Sequence, residues 1–271
     1  MDRNHFEVFT SIYERPPIFA REDPGDGKNP RAWYARVPQA RPQFDWTIPE
    51  GLLNRAQLIA MQPRDSRVCT LELCVAILAW GGMHGSNRNH LFSRPVENWL
   101  NIAECVRNGH LTRSEAFDAF AALARLKPND NGAIVGMGPA YFTKLIYFLM
   151  PRNNPSNPIG PIGYIMDQWL GCSVNLLAGN EIVKMDHAIK WEMKRNNHTR
   201  SIQSTVSNFN SGKDYEAFCG VIEDIANKMG AGWTSDSVEM ALMSRGKPNR
   251  GPWRSYVMDQ RFNQLIHQPL R

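Results

Sequence analysis

The segment that most restricts this chain runs from Gly136 to Pro151, where Gly136-Met137-Gly138 precedes Pro139-Ala140-Tyr141-Phe142-Thr143-Lys144-Leu145-Ile146-Tyr147-Phe148-Leu149-Met150. The glycines permit a tight turn, Pro139 suits a first helical position and Pro151 supplies the stop, so a helix over 139–150 is predicted. It is apolar on nearly every face, which marks a helix buried in a body. Lys144 is its single charge, and its neighbours three and four residues away are Ala140, Tyr141, Tyr147 and Phe148. An ammonium among aromatics is poorly solvated unless a cleft opens there, so its pKa is expected to be lowered, which an amine nucleophile requires. The alternative is a lysine that snorkels to water at the helix rim.

The prolines and glycines of the N-terminal region (Pro16, Pro17, Pro24, Gly25, Gly27, Pro30, Pro38, Pro42, Pro49) exclude a continuous helix, and an irregular arm over 1–63 is expected, packed on the rest through Phe6, Phe9, Tyr13, Trp33, Tyr34, Phe44 and Trp46. From residue 64 to the end the pattern turns helical. One helix carries Val68, Leu71, Val75, Ile77, Leu78 and Trp80, with Asp65 or Ser66 as cap and Gly81-Gly82 as stop. Further helices are read at 95–107, 113–126, 167–178, 214–229, 235–244 and 253–266, the second of them opened by the capping box Thr112-Arg113-Ser114-Glu115. No alternating strand of useful length is evident, and 195–200 reads as a polar loop. The fold class is mostly α.

With 42% hydrophobic residues the chain can bury a core, and 31 Lys and Arg against 26 Asp and Glu suit an anionic partner. The first residues do not have a signal-peptide profile and no stretch reaches about 18 apolar residues, so a cytoplasmic protein without a membrane span is expected. Five cysteines (69, 74, 105, 172, 219) form no CxxC pair, so zinc or an iron–sulfur cluster is not expected and buried free thiols are.

After the lysine helix come Pro151, Pro155, Pro158, Gly160, Pro161 and Gly163, and then Asp167 at the start of a helix, alone in an apolar stretch. An N-cap explains Asp167 structurally. A carboxylate held as the anion by helix N–H groups also suits a developing positive charge. Gly136 and Gly138 expose amides at a helix N-terminus, a seat for a phosphate.

The order of hairpin 134–150, lysine-bearing helix, Gly/Pro loop and aspartate (151–167) resembles the helix-hairpin-helix DNA glycosylases, most closely their 8-oxoguanine glycosylase-like branch of bacteria and archaea. The resemblance covers roughly residues 65–265. It implies two helical subdomains flanking a cleft, and a hairpin that grips the DNA backbone at Gly136 and Gly138. It also implies that Lys144 attacks the sugar C1′ after base flipping, while Asp167 assists and stabilises the oxocarbenium-like sugar. In the best-known eukaryotic members the lysine stands two residues after the second glycine. Ala140 occupies that place here and Lys144 lies one turn further on.

The stretch Trp80-Gly81-Gly82-Met83-His84-Gly85-Ser86-Asn87-Arg88-Asn89-His90 looks like the family's corner whose asparagine fills the gap left by the flipped base. Asn87 fits best and Asn89 next, with Arg88, His84 and His90 as phosphate contacts. A plain Asn/Gly-rich turn is the alternative. Trp169 is a further candidate DNA contact. The basic, aromatic run 245–256 could line a nucleic-acid groove, and Tyr141, Trp253, Gln260 and Phe262 are candidate walls of a base pocket. The resemblance implies double-stranded DNA with a modified base as partner and no cofactor. No obligate protein partner is expected. The base implied is 8-oxoguanine or a hypermodified base of phage DNA, the latter in an antiviral setting, and AP lyase activity is left open. The rival reading is a DNA-binding helix-hairpin-helix protein without catalysis.

Overall fold

A computed structural model describes residues 1–17, 27–38, 45–63, 67–152, 161–194, 197–244 and 251–266, with side chains described except at 189–194, 197–202 and 262–266. Asp65 and Ser66, most of the Gly/Pro loop and the basic stretch 245–250 lie outside the described residues. The chain is mostly helical, with twelve helices and one two-stranded sheet among the described residues. It divides into two compact units.

The unit that holds residues 18–165 and 211–216 contains α2 (Pro30–Tyr34), α3 (Arg55–Ala60), α4 (Thr70–Trp80), α5 (Gly85–Phe92), α6 (Glu97–Arg107), α7 (Arg113–Arg125) and α8 (Pro139–Leu149). In α4 every residue from Glu72 to Trp80 is buried, and in α8 every residue from Phe142 to Leu149 is. Helices apolar all round belong in the middle. These two pack on each other, and α6 packs on both. The capping box of α7 forms as read, Thr112 and Glu115 exchanging hydrogen bonds, which holds the Glu115 carboxyl below its ordinary pKa. The start of α4 differs from the sequence reading: the helix opens at Thr70 with Cys69 as N-cap, so Val68 precedes it. Cys69 is exposed and Cys105 half-buried, against the expectation of five buried thiols, while Cys74, Cys172 and Cys219 are buried.

Buried charges of α4 to α6 are satisfied by backbone from the preceding segments. Glu72, 1% exposed, accepts from Thr47 N and Oγ1 and Ile48 N, at 2.5–2.8 Å. Arg107 donates to the carbonyls of Met61, Gln62, Pro63 and Val68 at 2.9–3.1 Å and to Thr70 Oγ1 at 3.3 Å. Each would be costly to bury unpaired.

The other unit holds residues 1–17, 166–210 and 217–271. Its elements are α1 (Arg3–Ile12), α9 (Gln168–Ala178), strands β1 (Met185–Lys194) and β2 (Asn197–Val206), most of α10 (Gly212–Met229, begun in the first unit), α11 (Ser235–Met243) and α12 (Pro252–Ile266). Around α9 pack α1, α11, α12 and both strands. Two findings correct the sequence reading. Residues 3–12 form a regular helix capped by Asp2, because the prolines begin only at Pro16. No strand is expected from the sequence and 195–200 reads as a polar loop, but residues 185–194 and 197–206 form an antiparallel ribbon in register from Met185↔Val206 to Lys194↔Asn197.

Candidate active site

In the unit of α4 and α8, the turn before α8 folds as its glycines require. Gly136 sits at φ +88°, a conformation that strains other residues, and a Cβ there would lie 2.8 Å from Cα of Asn87. Gly138 is the N-cap of α8 and gives it no side-chain cap. Asn87 belongs to the first turn of α5 and not to a loop: the corner is confined to Gly81–His84, and His84 caps α5 by accepting from Ser86 N. The hairpin turn and the asparagine, far apart in sequence, are therefore in contact.

Lys144 is 7% exposed. Its Nζ donates to the Ala140 carbonyl at 2.6 Å and stands 5.3 Å from the centre of the Tyr141 ring. The half-buried Tyr141 thus shares its helix face. A Cβ on Gly81 would come within 2.5 Å of Lys144 Cδ and 2.9 Å of Cε, so the lysine stem lies in a groove that only glycine leaves open. The corner thereby touches α8 at Lys144 through Gly81, and the helix it leads into touches the turn at Gly136 through Asn87. In the sequence Gly81 reads as a helix stop and as part of the Trp80–His90 stretch, with no signal of its contact with Lys144. Near the other end of α8, Arg55 donates to Tyr147 Oη at 3.0 Å and Arg152 stacks 4.3 Å from the same ring's centre.

In the other unit Asp167 is the N-cap of α9, its Oδ1 accepting from Trp169 N at 2.8 Å and Leu170 N at 3.0 Å. The side chain is half-buried. A carboxylate so held is fixed in place at the positive end of the helix. Beside it, with its amide oriented to satisfy both neighbours, Gln168 donates to the Ser204 carbonyl at 2.7 Å and accepts from Trp169 Nε1 at 2.9 Å. Arg254 of α12 lies 3.6 Å from the centre of the Trp169 ring and Arg261 5.5 Å.

The family described as "Putative 8-oxoguanine DNA glycosylase OGG-like protein" matches residues 26–243, more than three quarters of the chain. The chain belongs to that family. No curated protein and no solved structure matches it. The OGG-like match takes in Lys144, Asp167 and both glycines of the hairpin turn, and it begins within the Pro-rich region ahead of α2.

Other residues picked from the sequence are placed less favourably for contact with DNA. Arg88 is 6% exposed, and its guanidinium donates to the carbonyls of Trp33 at 3.0 Å and Arg36 at 3.1 Å and to Asn89 Oδ1 at 2.7 Å. It anchors internal structure, and burial, followed by the charge of Arg36, lowers its pKa. Asn89 is occupied as its acceptor. His84 and His90 are exposed. Trp253 is fully buried, donates to Ser173 Oγ at 3.1 Å and meets Phe9 edge-on, so it is a core residue of its unit and not the wall of an open pocket. Gln260 is half-buried, and the Phe262 side chain lies outside those described. Among the described residues no cluster of His, Cys, Asp or Glu could hold a metal ion, and no helix is long and apolar enough to cross a membrane.

Proposed function

We propose that the protein is a DNA glycosylase that extrudes a modified base, 8-oxoguanine or a close relative, and cleaves its N-glycosidic bond. The observation that carries this reading is Lys144: a buried lysine, one turn into the helix that follows the Gly136–Gly138 turn, in a chain matched by the OGG-like family along most of its length.

In the proposed reaction the lone pair of neutral Lys144 Nζ forms a bond to the sugar C1′. The glycosidic bond breaks, its electron pair leaves with the base, and the base takes up a proton. Loss of a proton from nitrogen and opening of the sugar ring then give an imine, which water hydrolyses or from which the 3′ strand is eliminated. Asp167, fixed in place as the N-cap of α9, stabilises the positive charge that builds on the sugar as the base departs. Tyr141, on the lysine's face, lines the space for the extruded base, and the α8 N-terminus with Asn87 beside it faces the DNA backbone and the vacated stack.

Duplexes carrying single modified bases, among them 8-oxoguanine and phage-type modified cytosines, are incubated with the protein and cleaved with hot alkali. A break at 8-oxoguanine is expected. Borohydride is expected to trap a protein–DNA adduct that Lys144→Gln does not form, with excision lowered roughly 10²- to 10⁴-fold. Excision without an adduct and with active Lys144→Gln would replace the lysine by an activated water as nucleophile. A protein that binds duplexes yet leaves every strand intact is a DNA-binding module and not an enzyme.

A further inference from the structure

We propose that the ribbon β1–β2 is a second DNA-holding element, which lies in a groove of the duplex beside the nucleotide that Asp167 serves. The inference rests on the glycosylase reading above.

The foot of the ribbon is built as a fixed mount. Fully buried Asn210 accepts from Lys184 N at 2.8 Å and donates to the carbonyls of Lys184 at 2.9 Å and Ser207 at 2.8 Å, and Ser207 N donates to the Lys184 carbonyl at 3.0 Å. Met185 packs on α9 so closely that a Cβ on Gly171 would lie 2.9 Å from its Sδ. Two register steps on, His187 and the buried Ser204 share a hydrogen bond of 2.7 Å. Gln168, the residue after Asp167, holds the Ser204 backbone. The base of the ribbon thus runs along α9 from Asn175, which holds Val183, to Gln168, next to the candidate carboxylate.

Beyond this foot the pairing continues. In the pair Ala188↔Gln203 both residues are exposed, and six further pairs follow. At about 3.4 Å per residue these pairs extend roughly 20 Å. A lone two-stranded ribbon is marginally stable in water, so its outer part profits from a surface to lie on.

The sequence of that outer part indicates which surface. Positions 189–194 and 197–202 hold Lys190, Lys194 and Arg200 against the single acid Glu192. Register sets Trp191 opposite Arg200 and Met193 opposite His198. A cationic ribbon is complementary to the phosphate backbone, and a DNA groove admits a two-stranded ribbon.

The test is binding of a fluorescent undamaged duplex across a salt series, comparing the full chain with a triple variant Lys190→Gln, Lys194→Gln, Arg200→Gln and with Glu192→Gln. The triple variant is expected to bind roughly tenfold or more weakly at low salt. Its log–log salt slope should be shallower by up to about 2.7, since each phosphate contact contributes about 0.9. Glu192→Gln should bind more tightly. Equal affinity and equal slope in all three proteins, with unchanged melting temperatures, overturns the proposal and leaves the lysines as guards against edge-to-edge strand pairing. That result leaves the glycosylase reading intact where the unaltered chain still excises a base. A chain that binds no duplex at all overturns both.

Discussion

Helices α8 and α9 begin in opposite ways. The first starts at Gly138, which has no side chain to accept a helix N–H, while the second starts at Asp167, whose own carboxylate accepts two. A helix N-terminus has several unsatisfied donors and a partial positive charge. In α9 the chain itself supplies a carboxylate and fixes its position; in α8 no side chain of the cap residue meets the helix N–H groups. The same local physics thus yields a built-in cap in one helix and, under the proposed function, a seat for a DNA phosphate in the other.

The contrast is tested most strongly at Asp167. Asn is as good an N-cap as Asp, so Asp167→Asn is expected to keep the melting temperature while excision falls about 10²-fold or more. Asp167→Ala should lose the cap as well, about 1 kcal/mol of stability in denaturant titration. If Asp167→Asn excises normally, the carboxylate is only a cap.

At the start of α8, Gly136→Ala is expected to cost about 2 kcal/mol or more, from a positive φ and a Cβ pressed against the Asn87 backbone. Calorimetry reads it directly. Gly81→Ala tests the lysine's groove: Gly81 has an ordinary φ of −70°, and the obstacle is a flexible side chain, so the fold should tolerate the change. Excision should nonetheless fall roughly tenfold as the amine is displaced, and Gly81→Ala with full activity would show that the lysine stem has other room. The smallest effect is expected of Gly138→Asp, which gives α8 a cap like that of α9. Stability should rise by a few tenths of a kcal/mol while duplex affinity drops several-fold from repulsion of phosphate. Unchanged affinity would mean that this helix end receives no anion.

Signals contained in a few consecutive residues were legible in the sequence. The Thr112/Glu115 capping box, Pro139 at the start of α8 and Asp167 as a cap are all local chemistry, and each helix lies where they put it. Contacts between distant residues were not: nothing in Gly81-Gly82 announces a lysine sixty-three positions later, and Arg88 in a polar stretch reads as surface until the Trp33 and Arg36 carbonyls close over it. The ribbon lies between these cases. Ile189, Trp191 and Met193 do alternate with Lys190, Glu192 and Lys194, but the partner strand, Asn197–Val206, is polar for most of its length, and a pair of strands cannot be read from one.

Whoever shortens this chain to its helical body will meet Arg88 and Glu72. Their partners are carbonyls of residues 33 and 36 and donors of residues 47 and 48, all in the Pro-rich stretch that looks dispensable. Cutting at residue 63 would strand a cation and an anion inside the protein with their bonding capacity unfilled. The stretch is better regarded as a sewn-in lining than as a tail, and a fragment without it belongs in the inclusion-body pellet.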